Sequence, residues 1–168
     1  MTMKGARLIF IGMTLAGVGG FAGCATTAAK RTAPPTVARL YLETTDERAT
    51  TLVLPLSGVR VAVGTKPVFT ETDFIGAEVM QVELGRCLML QLTSAATRDL
   101  YRLTASNQGR RLVLVLNDVA SGARRIEGPL AEGAVMIFVE IPDAALPALV
   151  ESLRQTSAEL QRAAARKS

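Results

Sequence analysis

The chain has 168 residues, with 19 basic and 15 acidic side chains and no histidine. A chain without histidine cannot form Ser-His-Asp or Cys-His catalytic groups, and it lacks the commonest metal ligand, so most familiar hydrolase chemistry is excluded. Its two cysteines are too few for a metal cluster, and no phosphate-binding glycine loop is present. The composition therefore predicts a protein that is not an enzyme and that has no cofactor and no metal.

Residues 1–23 have the layout of a secretory signal peptide. Lys4 and Arg7 precede an apolar run from Leu8 to Phe21, and Ala22-Gly23 leads directly into Cys24. This ending resembles the lipobox of bacterial lipoproteins, whose signal is removed before the cysteine and whose new N-terminus carries acyl chains such as palmitate. The resemblance implies a protein of the bacterial envelope that faces the periplasm and is attached to membrane lipid through Cys24.

An uncleaved membrane anchor and a plain signal peptide are the alternatives. The apolar run is shorter than the roughly 20 residues that a spanning helix needs, and it is rich in glycine. Ala25 stands where an Asp would suggest inner-membrane retention in some bacteria, so the outer membrane is slightly favoured. Loss of the signal removes two basic residues and leaves 145 residues with a formal charge of +2. A nucleic-acid partner is therefore not expected.

Residues 24–37 are polar and contain two prolines, which predicts a short extended tether. The folded domain is predicted over 38–155, with 156–168 as a polar C-terminal tail of the last helix. Alternating apolar residues predict early strands at 39–43, 51–54 and 59–63. Thr70 and Asp73 have the spacing of a capped helical turn.

The remaining elements follow in the order strand, strand, helix, three strands and helix. They are predicted at 75–83, 87–92, 94–107, 110–116, 123–127 and 134–141, with a turn over 117–122 and a last helix that begins at Pro142-Asp143. This order predicts an α+β fold, a ferredoxin-like antiparallel sheet with two helices on one face, preceded by extra N-terminal strands.

Two of these strands, Leu112–Leu116 and Ala134–Val139, are nearly continuous apolar runs. Such runs are typical of strands that are covered on both faces. Two helices cover only one face of a sheet, so the other face needs the chain's own strands between Leu40 and Val63, a partner, or a second copy. The chain's own strands are favoured.

Four stretches carry a resemblance to a known family, namely Pro67–Phe74 before Ala77-Glu78-Val79, Leu92–Ala96, Leu103–Asn117 and Gly128–Gly133. Over residues 67–153 the chain resembles the head subdomain of the first periplasmic domain of SecD, a membrane protein that assists protein export. The shared motifs are structural and support a fold more than an activity. The resemblance implies a lipid-anchored relative of a domain that contacts exported polypeptide, without the transmembrane helices that follow it in SecD.

Four arginines are the candidate binding residues. Arg110 and Arg111 begin one strand, and Arg124 and Arg125 lie on the return strand, so their guanidinium groups could cluster and hold an acidic partner, a phosphate or a lipid headgroup. The simpler interpretation, which is favoured, is that these charges keep an exposed sheet edge from pairing with other chains. The carboxylates of Glu71, Asp73, Glu78 and Glu83 are assigned to capping and strand surfaces.

Two hypotheses for function follow. The first is a non-catalytic binding module, accessory to protein export or to an envelope complex, which contacts polypeptide through a sheet edge or an uncovered sheet face. The second is a structural envelope lipoprotein that forms a homo-oligomer by burying its apolar sheet face against itself.

Overall fold

The computed structural model describes residues 35–166, so the predicted signal peptide, Cys24 and most of the predicted tether lie outside the described residues. The elements are β1 (Ala38–Leu42), β2 (Thr50–Val53), β3 (Arg60–Val63), β4 (Phe74–Val82), β5 (Gly85–Leu92), α1 (Ser94–Ser106), β6 (Arg111–Leu116), β7 (Val119–Arg125), β8 (Ala134–Ile137) and α2 (Leu146–Ala165). Short 3-10 turns precede β4 and α2. The predicted α+β class with extra N-terminal strands is confirmed. No helix within 35–166 meets the length and hydropathy that a membrane span requires.

The strands form three small antiparallel sheets in the described part of the chain. Sheet A has the order β1-β6-β7, sheet B is the β2-β3 hairpin, and sheet C has the order β4-β5-β8. Single bridges join them, Glu43 with Val63 between sheets B and A, and Gly122 with Val139 between β7 and the chain after β8. The sequence predicted one sheet. Within residues 35–166 the strands instead form three sheets, which separate where the pairing between neighbouring strands is limited to a single bridge.

Capping hydrogen bonds fix two element boundaries, and the capped turn at Thr70 and Asp73 is as predicted. The Asp73 carboxylate accepts a hydrogen bond from the Thr70 N–H at 2.7 Å, and the Thr93 hydroxyl accepts one from the Ala96 N–H at 3.2 Å, where α1 begins. The predicted turn over 117–122 was too long. Asn117 and Asp118, both with positive φ, make the whole β6–β7 turn, and β7 already begins at Val119.

Strand β6 is covered on both faces by the chain itself. Leu112, Leu114 and Leu116 point into the main core beneath the helices, together with Leu100 and Val150. On the other face, Val113 packs in a second cluster with residues of the β2–β3 hairpin and of β7; its buried members are Leu54, Val61, Val63, Val113 and Ala120. The prediction that the N-terminal strands supply the second cover is confirmed for this run.

The second apolar run behaves differently. Val135 and Ile137 are fully buried, whereas Met136 is 37% and Phe138 44% exposed. The expectation that this run is covered on both faces was wrong, because helices and core lie on only one side of sheet C. The strand also ends at Ile137 and not at 141, since the chain there crosses to β7 and pairs through Val139.

Helix α2 and the residues before β1 pack together. The Thr36 and Ser152 hydroxyls lie 2.8 Å apart, and the Thr36 N–H donates to Thr156 Oγ1 at 3.3 Å. Thr156 and Ser157 are buried, and the helix continues to Ala165. The segment where the predicted tether ends is therefore fixed against the start of the predicted C-terminal tail.

Candidate functional site

A cleft of about 340 Å³ lies where sheets A and C separate. We call it the seam cleft. Its lining residues come from the ends of β4, β5 and β7 and from β8, and they are Val82, Leu84, Cys87, Ala123, Arg124, Arg125, Glu127, Met136 and Phe138. The lining combines exposed apolar side chains with two of the four predicted arginines.

The cleft exists because two strand edges begin to pair and then part. Gly122 is bridged to Val139, and the Glu140 N–H donates to the Ser121 carbonyl at 2.7 Å. A side chain at Gly122 would overlap the carbonyl oxygen of Phe138, so glycine permits this close crossing. Beyond the crossing β7 and β8 diverge and leave two strand edges facing the cleft.

Arg124 spans the gap between these edges. Its Nη1 donates to the carbonyl oxygen of Met136 at 3.0 Å, although the two residues belong to different sheets. The Met136 carbonyl therefore points toward β7, as alternate backbone groups of an edge strand do. The Arg124 side chain thus donates the hydrogen bond that a neighbouring strand would otherwise give to the Met136 carbonyl.

The β7 edge presents free backbone groups near the same place. The Ile126 N–H donates to the Arg110 carbonyl, and the Glu43 N–H donates to the Arg111 carbonyl, both at 2.8 Å. Arg111 thus bonds toward β1, and Arg125 directly opposite it must direct its N–H and C=O away from β6. Within residues 35–166 these Arg125 backbone groups have no hydrogen-bond partner.

The outer face of sheet C extends the apolar surface of the cleft. Leu88 and Leu90 point into the main core, so Met89 between them lies on the outer face, directly opposite Met136. Met80 lies on the same face, opposite Cys87. All three methionines of residues 35–166 therefore share one face. Methionine is flexible and polarizable, and it is common on surfaces that accept varied apolar partners.

The four predicted arginines lie at one end of the β6–β7 hairpin, but on two faces. Arg111 and Arg125 are cross-strand partners on one face, and Arg124, one position along, lies on the other. Arg111 is held by Glu43, whose carboxylate lies 3.7 Å from the guanidinium and accepts the Arg111 N–H at 2.8 Å. Arg110 is exposed, and only Arg124 and Arg125 line the cleft. A binding role for the four stays a prediction.

The thiol of Cys87 lines the cleft. Burial raises the pKa of the Cys87 thiol, and the charge of Arg124 acts weakly in the opposite direction. The thiol is thus kept protonated at neutral pH, which makes it a poor nucleophile. No cluster of three metal-ligating side chains occurs between residues 35 and 166.

The carboxylates named from the sequence lie elsewhere. The pKa of Glu71 is lowered by its own backbone N–H and by Arg39, whose Nε lies 3.1 Å from the carboxylate. Asp73 caps the 3-10 turn, and Glu78 is paired with Arg154 at 3.6 Å. Glu83 is an exposed turn residue. The one acid that lines the cleft is Glu127, which lies just beyond the end of β7.

Sequence reasoning also missed Leu84, Met136 and Phe138. Met136 and Phe138 lie in the apolar run Ala134–Val139, and Leu84 lies in a predicted turn. Residue type alone does not distinguish an apolar residue of the core from one on an uncovered face. Position along the predicted strand was the available signal. Even and odd positions of a strand point to opposite faces, so only one of the two sets had a certain place in the core.

No protein-family model matches this sequence, and no curated protein sequence matches it either. Solved structures, by contrast, are similar to this chain in fold. A structure of SecDF, described as a membrane component that enhances protein export, is 18% identical over 71% of this chain and 62% of the other, with a TM-score of 0.56. SecDF in its super-membrane-facing form is 17% identical over 71% of this chain and 18% of the other, also with a TM-score of 0.56. The chain spans less than two thirds of either structure. At these identities the likeness shows a shared, SecD-like fold.

Proposed function

We propose that this chain is a lipid-anchored periplasmic protein that binds segments of exported or envelope polypeptides in the seam cleft, without catalysing a reaction. The observation that carries the proposal is the cleft itself. It combines exposed apolar side chains, two arginines and free strand-edge groups in one concave surface of about 340 Å³, within the range of small binding pockets. Export enhancement belongs to SecDF, and the shared fold supports an accessory role of this kind.

The apolar lining supports a polypeptide as the ligand. Leu84 is 86% exposed at the β4–β5 turn, and Met136 and Phe138 are also exposed. Exposed apolar side chains that share a concave surface mark interaction sites, whereas isolated ones are ordinary. An unfolded segment in transit exposes the apolar residues that such a surface would cover.

The position of the chain's N-terminal segment fits a membrane tether. The Val37 N–H donates to Asn117 Oδ1 at 2.8 Å, so the described chain begins at the turn of the β6–β7 hairpin. The cleft lies at the opposite end, near Arg125, and β6 has six residues, which span roughly 17 Å. A tether that ends at this point therefore joins the domain at the end away from the cleft.

The lipid anchor is tested by Cys24→Ser. The variant should not be processed by the lipoprotein route, and acyl chains should be absent from the purified protein by mass spectrometry. Membrane attachment should be lost or should depend on the uncleaved signal. Processing and fractionation identical to those of the parent chain would contradict the anchor.

The binding role is tested by photo-crosslinking in intact cells from a probe that replaces Phe138. A probe at Tyr101 is the matched control, because it is an aromatic residue of similar exposure, 49% against 44%, on the outer side of α1. Adducts with varied exported or translocon proteins from Phe138 alone are expected. Equal adduct patterns from both positions would contradict the cleft as the site.

A structural homo-oligomer is the second candidate. The uncovered outer face of sheet C, with Met80, Met89 and Met136, favours it, since a second copy could cover that face. In the same crosslinking experiment, adducts from Phe138 only with the chain itself would support the oligomer and would exclude the polypeptide-binding role.

A further inference from the structure

We infer that the seam cleft receives its ligand as an added β-strand, which hydrogen-bonds to the free edge of β7 at Arg125. The inference rests on the proposed function and specifies its ligand. The occupant is an extended polypeptide segment with apolar side chains at alternate positions and an acidic side chain beside Arg124 and Arg125.

The register of the two strand edges leaves a backbone position of β7 without a partner strand. The bridge between Gly122 and Val139, continued along antiparallel strands, would place Arg125 opposite Met136 as a hydrogen-bonded pair. The two edges separate before reaching that pair. Arg125 keeps its N–H and C=O directed into the gap, and the Met136 carbonyl is bonded to a guanidinium instead of a strand. An unpaired edge of this kind is a template for an extended segment.

A strand added at that position would present its side chains to two faces. Side chains of an added strand alternate, so every second one would lie against the same wall of the cleft. The apolar side chains of Met136 and Phe138 line the cleft, which favours apolar residues at those positions. Strands of varied sequence can satisfy this pattern, because the main chain supplies the fixed part of the recognition.

The charged residues of the cleft favour an acidic side chain at one position of the added strand. The charged residues that line the cleft are Arg124, Arg125 and Glu127, and Arg110 lies exposed at the same end of the hairpin. Arg111 is already paired with Glu43, whereas the partner that Arg124 bonds within residues 35–166 is a neutral carbonyl. An acidic side chain of the ligand would give Arg124 and Arg125 a charged partner.

The test uses the full chain purified from membranes and a fluorescent synthetic peptide that alternates Val with Thr and carries one Asp. Binding is followed by fluorescence anisotropy. Two further peptides carry backbone N-methyl groups, one on the odd residues and one on the even residues. Alternate N–H groups of a strand face opposite sides, so only one of these peptides should bind more weakly, by about tenfold. Equal binding of both methylated peptides would overturn strand addition.

Protein variants give a second readout. Arg125→Pro removes an N–H that sheet A does not use, and Arg125→Ala removes the same side chain while keeping that N–H. We expect the proline variant to bind the parent peptide about tenfold more weakly than the alanine variant. Equal affinities would overturn strand addition at β7 and leave side-chain binding in the cleft intact. Failure of the parent peptide to bind the unmodified protein would overturn both this inference and the proposed function.

Discussion

Strands β6 and β8 carry two nearly continuous apolar runs of the folded domain, and these runs differ in how the chain covers them. Every residue of Leu112–Leu116 is buried, because the helices cover one face of β6 and the β2–β3 hairpin covers the other. In Ala134–Val139, Val135 and Ile137 reach the core while Met136 and Phe138 remain exposed. A continuous apolar run therefore does not by itself establish that the chain covers both faces of the strand.

The difference separates residues that stabilise the fold from residues that are available for binding. Burial of the β6 side chains is complete within the chain, so their removal should cost folding free energy. The exposed β8 side chains should contribute little to folding and much to ligand contact. The following changes test this separation, beginning with the largest expected effect.

Leu114→Ala and Met136→Ala compare the two strands directly. Leu114 is 0% exposed in the main core, and its truncation should lower the free energy of unfolding by about 2–5 kcal/mol. Met136 is 37% exposed, and its truncation should lower it by about 1 kcal/mol or less. Urea unfolding followed by circular dichroism measures both values. Similar losses for the two variants would contradict the separation.

Gly122→Ala should disturb the crossing that forms the cleft. Its new methyl group would meet the Phe138 carbonyl oxygen and the Val139 Cα, which is backbone that cannot rotate away. We expect a loss of about 1–3 kcal/mol in unfolding free energy, as for other overpacked sites. Gly128→Ala is the matched control, since no atom lies within 4 Å of its new methyl group. Equal stability of the two variants would show that the crossing is not tight.

Glu140 follows the run Ala134–Val139 and accepts hydrogen bonds from the β2–β3 hairpin, which covers one face of β6. Its Oε2 accepts hydrogen bonds from the N–H groups of Leu56 at 2.6 Å and Ser57 at 3.0 Å, in the turn of the β2–β3 hairpin. Hydrogen bonding from Ser57, with the backbone of Leu56 adding to it, lowers the pKa of Glu140. A carboxylate with a lowered folded-state pKa stabilises the fold above its unfolded pKa, and that contribution is lost as pH falls through the folded-state value.

Glu140→Gln should therefore speed amide hydrogen exchange in β2 and β3 at neutral pH, and the difference from the parent chain should shrink in acid. The effect should be the smallest of the three, because the hydrogen bonds of this carboxylate lie at the surface. Glu132→Gln, at an exposed loop position, is the control and should leave the exchange of β2 and β3 unchanged. Acceleration that persists undiminished in acid would show that the charge of Glu140 is not the cause.

The parts of the fold that sequence could predict depend on neighbouring residues. Thr70 with Asp73, and Thr93 before α1, cap their elements through contacts three residues apart, which a sequence displays. The cover of β6 was also predictable, since few apolar segments other than β2 and β3 remained to supply it. The length of the β6–β7 turn was not. Gly122 suggests a turn locally, yet it serves a contact with Phe138, distant along the chain.

The candidate site was predictable only in its charged half. Arg124 and Arg125 stand out in the sequence as a pair on a return strand. The exposed apolar half depends on where sheet C lacks a covering layer, and on the separation of β7 from β8 after one bridge. Both are consequences of tertiary packing, which strand alternation alone does not determine.

The most direct measurement compares crosslinking from a probe at Phe138 in intact cells with and without Met136→Asp, together with the amount of protein that accumulates. The account predicts normal accumulation and loss of the polypeptide adducts, because the new carboxylate lies on the uncovered face of β8 and disrupts only ligand contact. Unchanged adducts would contradict the seam cleft as the binding surface. Loss of the protein itself would show that Met136 belongs to the core.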